Sequence, residues 1–390
     1  MREPAARAFQ ELSALYEARL RPVPRDIGGR ATLAVVGADV PVELATACGY
    51  VPVRLVGDPR PSAQGDDPGQ EYCGPGIDPV AVSILGRVLA GAAAESAGLV
   101  ACADNEGTLR FFFYLRELQR LEPRVGVPPL TFFDLLHLPQ RTAAVYSRRR
   151  FDALSRDLEA WSGRQVTDAN LRSAARQHDL VRDMIAQICA RLRNGPHGPL
   201  LTGAQALAVI GASQVASLDT WIPLAERLLA ASEGMEPQPG VRVFLTGCSH
   251  DHPAAYGLIE SLGAVVVGED HDWGSLAGGP RIGEPADIRD ALVHRRVHRA
   301  SASAGHSAAA RAAQTISMAR ACRADLVIAW SRIFDEGPAW DVPAQRVAAD
   351  ATALPFLAVP AQPYAAVPEP TRTLVEAAIQ RIAEDRKAAR

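Results

Sequence analysis

Strand-length apolar runs alternate with helical stretches twice along this chain, and that repeated alternation is the strongest constraint on its fold. ATLAVVGADVP, the helix-patterned VELATACGY ending at Gly49, and VPVRLVG form a strand–helix–strand series that begins near residue 31. GLVACAD and PPLTFFDL add strands to it by about residue 145. The plan restarts at residue 240 with VRVFLTG, PAAYGLIESLG and AVVVGED, and continues through ADLVIAW, PAQRVAADATA and LPFLAV. Strands separated by helices pair in parallel, so each half predicts an α/β sheet whose chemistry lies at the carboxyl ends of its strands.

Between the halves, FDALSRDLEAWSG, TDANLRSAARQHDLVRDMIAQICARLRN and TGAQALAVIGASQVA are all helical in period. TDAN and TGAQ each open with a threonine suited to capping a helix. The organisation expected is an N-terminal helical arm (1–30), a first α/β domain (31–150), a helical segment (151–238) and a second α/β domain (239–390) ending in an amphipathic helix. A chain of 390 residues is long enough for two or three domains. Its formal net charge of −3 argues against nucleic-acid or anionic-membrane binding driven by bulk charge. No apolar run reaches the roughly 18 residues of a membrane span, and the N-terminus lacks an apolar signal core. A cytoplasmic protein is the expectation.

The six cysteines are too sparse for a disulfide scaffold, and no CxxC pair suggests a zinc ribbon. Cys48, Cys189 and Cys322 sit in helical apolar patterns and read as core. Cys73 lies in a polar Gly/Pro-rich loop before a helix, and Cys102 ends a strand. Such a pair could share a metal or iron–sulfur cluster, or be two unrelated buried thiols. TGCSHDH and GEDHDWG bring Cys248, His250, Asp251, His252, Asp270, His271 and Asp272 to two strand ends. These could bind a divalent ion or simply fill solvated loops. VVGADVP lacks the G-x-G-x-x-G spacing, and neither a P-loop lysine nor GxSxG occurs. The aromatic run from Phe111 to Tyr114 reads as core packing.

The order of segments carries more information than any single motif. DVPVELATACGYVPVRL, with Pro41, Glu43, Gly49, Pro52 and Val53, resembles the opening signature of the 2-hydroxyacyl-CoA dehydratase and benzoyl-CoA reductase family. EYCGPGIDPVAVSILGRVLAG is similar to the family's next segment, with a cysteine just before a helix. LVACADNEGTLR resembles its Cys-Asp strand end, with Asp104 displaced by one place. The helical stretch from WSGRQV and the start of the second half follow in the same order, so the similarity runs from about residue 33 to residue 360.

The resemblance implies an iron–sulfur subunit of the D-component type with two Rossmann- or flavodoxin-like parallel-sheet domains, a helical insertion and flanking terminal helices. In this family two related subunits each hold a 4Fe–4S cluster through three cysteines, and an ATP-hydrolysing activator injects an electron. A ketyl radical then forms from a (R)-2-hydroxyacyl-CoA and expels the hydroxyl; in the reductases the electron enters an aromatic ring. For this chain the resemblance implies a lyase or related reductase subunit. Its partners would be an acyl-CoA substrate, an activator protein, and a related second subunit or a second copy.

Cys73 and Cys102 would be two cluster ligands. The third departs from the family: AWSRIFDEGPAWDVP holds no cysteine, and Asp335, or less favourably Ser331, stands at the expected place. Three arrangements follow: a cluster on Cys73, Cys102 and Asp335, a cluster with an open iron site, or no cluster. The first two make the chain catalytic, the reading preferred on sequence. The last makes it a non-catalytic partner subunit. A repurposed hydrolase or binding protein built on His250, His252 and His271 is the distant alternative.

Overall fold

The computed structural model describes residues 3–60, 68–122, 126–298, 306–364 and 366–388. An N-terminal helix, α1 (Glu3–Glu17), precedes a short β1 (Asp26–Ile27), which pairs antiparallel with β2 (Arg30–Val36). After β2 come α2 (Val42–Ala47), β3 (Val51–Arg54), α3 (Pro68–Cys73), α4 (Pro79–Leu89), β4 (Leu99–Cys102), α5 (Glu106–Leu121) and β5 (Leu130–Phe133). The strands run parallel in the order β3-β2-β4-β5.

A helical stretch follows: α6 (Arg141–Ser162), α7 (Asp168–Gln187), α8 (Gly203–Ala212) and α9 (Leu218–Ala230). Thr167 and Thr202 open α7 and α8 with complete capping boxes, as their spacing predicts. The second half contains β6 (Val241–Gly247), α10 (Ala254–Ser261), β7 (Ala264–Glu269), α11 (Ile288–Val297), α12 (Ala308–Ala321), β8 (Leu326–Arg332), α13 (Glu336–Asp350) and β9 (Phe356–Gln362). Its sheet is parallel in the order β7-β6-β8-β9, and α14 (Glu369–Ala388) closes the chain. The fold is therefore α/β with two parallel sheets, as the repeated alternation predicts.

Burial on both faces explains why these strands are near-continuous apolar runs rather than alternating ones. Along β4, Leu99 and Ala101 join the apolar cluster that contains the inner residues of α4 and α5. Val100 and Cys102 join the opposite cluster with residues of α6, α7 and α11. Side chains in a strand alternate between faces, so this split fixes where Cys102 points.

Two local expectations shift. The sequence IDPVAVSILGRVLAGAAAESA reads as one helix, but α4 stops at Leu89, with Gly91 at φ +89° closing the turn. Cys73 is not on an open loop: it is the last residue of α3 and is buried, because α3 folds back onto α4 with Gly69 against the Val82 carbonyl.

Candidate functional site

In each sheet the first strand of the half lies between the second and the third, so the chain leaves it in both directions and opens a crevice at the carboxyl edge. In the first sheet the crevice lies between β2 and β4; in the second, between β6 and β8. The two face each other. They share a cavity lined by Gly37, Asp104, Asn105 and Thr108 from one half and by Ser249 and Arg332 from the other.

Arg332, the last residue of β8, crosses this cavity to Asp78, the N-cap of α4. Its Nε donates to Asp78 Oδ1 at 2.7 Å and one Nη to Oδ2 at 2.9 Å. The same guanidinium donates to the Ser249 carbonyl at 2.9 Å and to Asp335 at 3.2 Å. Asp78 also accepts the Val80 N–H, so one carboxylate caps α4 and holds the second half. Both side chains are buried, and a paired, hydrogen-bonded geometry is what makes buried charge tolerable. Burial pushes the Asp335 carboxyl up to about 6 despite Arg332, with Asp78 and Asp104 adding to the rise.

On the first half, Asp104 accepts the Ala38 N–H at 2.6 Å and the Thr108 hydroxyl at 2.7 Å. Burial and then Asp39 raise its carboxyl above the usual range. Asn105 and Thr108 form a capping box on α5. The helix starts at the cavity, α4 and α5, thus spend end N–H groups on their own Asp78 and Asn105, donors an outside anion would otherwise use.

Cys102 is fully buried at the β2/β4 crevice, where its Sγ accepts the Asp39 N–H at 3.4 Å. Gly37, at φ +90°, passes so close that a Cβ there would lie 2.3 Å from the sulfur. Burial, then Asp104 and Asp39, raise the Cys102 thiol well above its usual range, so it is a neutral thiol in this setting. Cys73 packs in the α4–α5 cluster on the other face of the sheet, and its carbonyl accepts from the Tyr114 hydroxyl at 3.4 Å. Asp335 is engaged by Arg332. Asp335 is tied to the cavity through Arg332 and Cys102 lies behind Gly37, but the fold does not gather Cys73 with them. Among the described residues, no three His, Cys, Asp or Glu side chains stand close enough together to hold a metal ion.

The histidine-rich strand ends are buried rather than solvated. His271 Nε2 lies 2.7 Å from the Tyr256 hydroxyl, and His250 Nε2 lies 3.8 Å from Cys248 Sγ. Asp251 accepts the Tyr364 hydroxyl on both oxygens, at 3.0 and 2.9 Å, and the Gly57 N–H. Burial lowers His250, His252 and His271 from the usual imidazole range, so all three are neutral at pH 7. These groups hold loops against one another.

Glu43, in the first turn of α2, is fully buried and faces two guanidinium groups, Arg182 of α7 and Arg296 of α11 (2.9 Å). Arg182 also donates to Asp179 at 2.6 Å. Glu43 of the opening signature thus ties the first sheet to two helices from distant parts of the chain. Sequence reasoning passed over Asp78, Arg332, Arg182 and Arg296. Two of them left a trace: Asp78 precedes Pro79 in a helix-start pattern, and Arg332 is a charge at the end of an otherwise apolar strand.

Among the described residues no helix is long and apolar enough to cross a membrane. No curated protein matches the chain. The family model described as 2-hydroxyglutaryl-CoA dehydratase, D-component, matches residues 38–382, a span that begins just after β2 and takes in β3 to β5, the whole second sheet and Glu43. The chain therefore belongs to the 2-hydroxyglutaryl-CoA dehydratase D-component family.

Proposed function

We propose that this chain is a cluster-free subunit of a 2-hydroxyacyl-CoA dehydratase-like enzyme. It pairs with a related subunit that carries the 4Fe–4S cluster and the dehydration chemistry. The observation that carries this reading is the placement of the three candidate ligands. Cys73 and Cys102 pack on opposite faces of the first sheet, and Asp335 is held by a guanidinium already bound to Asp78. Four carboxyl groups (Asp39, Asp78, Asp104 and Asp335) stand around this crevice region, two of them already paired by Arg332. Family membership supports a dehydratase-like subunit working with another component. In this reading the ATP-hydrolysing activator and the acyl-CoA substrate are partners of the assembled enzyme, and the contribution of this chain is its fold and interface.

The test replaces the two cysteines in the assembled enzyme. Cys73→Ala and Cys102→Ala are each expected to leave dehydration of a 2-hydroxyacyl-CoA within about twofold, with both chains still co-purifying. A loss of 100-fold or more from either variant, with the assembly intact, would make the cysteines ligands and overturn the reading.

A further inference from the structure

A second cavity lies beside the facing crevices, bounded by α2, the start of β3, α7 and α11. It amounts to about 120 Å³. That is below the ~300–1,000 Å³ of pockets that enclose drug-sized ligands, and is near the ~150 Å³ that holds a benzene ring. A CoA thioester does not fit inside it; a small organic molecule does.

Cations outnumber carboxylates in its lining, although Arg30 pairs with Asp219, Arg182 with Glu43 and Asp179, and Arg296 with Glu43, while Arg295 donates to the Gly278 and Pro280 carbonyls. Arg30, Arg54, Arg182, Arg295 and Arg296 border it, and the single carboxylate in the lining is Asp272, which pairs with Arg54. His178 is neutral at pH 7, since burial pushes it down to about 4, and its Nε2 lies 2.9 Å from the Thr46 hydroxyl. Val42, Val181, Leu218 and Leu276 supply an apolar part of the wall, beside the polar Gln177, Ser213 and Gln214. Guanidinium groups against an aliphatic wall match an anionic head on a short hydrocarbon tail.

Arg296 adds an independent observation. Its Nη atoms are spent on the Ala38 carbonyl at 3.1 Å and on Glu43 at 2.9 Å. Its Nε–H is buried with no acceptor. A buried donor without an acceptor costs free energy; the Nε atom has no surface open to the cavity, so a ligand oxygen would recover that cost only with a shift of the side chain.

We infer that this cavity binds a small aliphatic carboxylate, whose oxygens meet the arginine side chains and whose tail lies against Val42, Val181 and Leu276. The site takes a free acid rather than a thioester, and it stands whether or not the chain holds iron.

Calorimetric titration of the purified full chain with pentanoate, its neutral isostere pentanamide, and pentanoyl-CoA tests this. Pentanoate is expected to bind saturably at one site, and pentanamide at least tenfold more weakly. Arg295→Gln removes a cation at the rim, and Ala277→Phe fills space in the lining. Each is expected to weaken pentanoate binding at least tenfold while the ligand-free melting midpoint stays within a few degrees. If Ala277→Phe does not fold, Arg295→Gln and the amide comparison decide. Equal binding of acid and amide, unchanged binding in the folded variants, no binding of pentanoate, or binding of the thioester alone would each overturn the inference.

Discussion

Arg332→Met is expected to destabilise the protein by about 3–5 kcal/mol, the cost of breaking one partner out of a buried ion pair. The guanidinium is the hub of the facing crevices: it holds Asp78 bidentately, the Ser249 carbonyl and Asp335. Methionine fills similar volume but leaves the buried Asp78 and the half-buried Asp335 without their cation. Asp335, raised to about 6 even with Arg332 present, then rises further. A carboxyl raised in the folded state favours folding below its ordinary pKa and loses that contribution as pH rises through the folded value. The variant is therefore expected to be closest to wild type near pH 4 and furthest from it above pH 6. Denaturant unfolding across that range measures both the size and the sign. The double replacement Asp78→Leu with Arg332→Met removes two opposite charges together and is expected to recover much of the loss. Equal stability of Arg332→Met and wild type at pH 8 would mean that water, rather than the bridge, satisfies these carboxylates.

Glu43→Gln is the second large effect, again about 3–5 kcal/mol. Burial alone would push this carboxyl up, but Arg296 and Arg182 overcome it and hold Glu43 well below the usual carboxylate range. A carboxyl lowered in the folded state contributes stability that is present above its ordinary pKa and is lost as pH falls through the lower folded value. The gap between wild type and Glu43→Gln is therefore expected to be full at pH 7 and to shrink only below about pH 4, a lower window than that of the Arg332→Met gap, which already narrows below about pH 6. Glu43→Asp keeps the charge but shortens the reach, so it is expected to fall between the two. A gap independent of pH between 3 and 7 would assign the loss to packing and not to charge.

What was legible in the sequence follows from which interactions are local. The sheets were readable because strands buried on both faces need continuous apolar runs such as ATLAVVG and LVIAW. The starts of α7 and α8 were readable because a capping box is complete within four residues, Thr167 with Asn170 and Thr202 with Gln205. The family resemblance rested on segment order, and it covers most of the span that the family model matches.

The inner arrangement of the crevices was not readable. Asp78 and Arg332 are 254 positions apart, and Glu43 and Arg296 are 253 apart, so no local pattern joins them. The cysteines show the same limit. Spacing placed Cys73 on an open loop and Cys102 at a strand end, both plausible ligands. The face each one occupies depends on how α3 folds back onto α4 and on the pleat of β4, which tertiary packing decides.

The most direct test of the cluster-free reading is the iron and acid-labile sulfide content of the chain. It should be purified without oxygen, reconstituted with iron and sulfide, and measured beside its absorption spectrum. The account predicts iron and sulfide near zero and no charge-transfer absorption, with or without Cys73 and Cys102. About four of each per chain, as a 4Fe–4S site requires, and their loss in Cys73→Ala or Cys102→Ala, would contradict it.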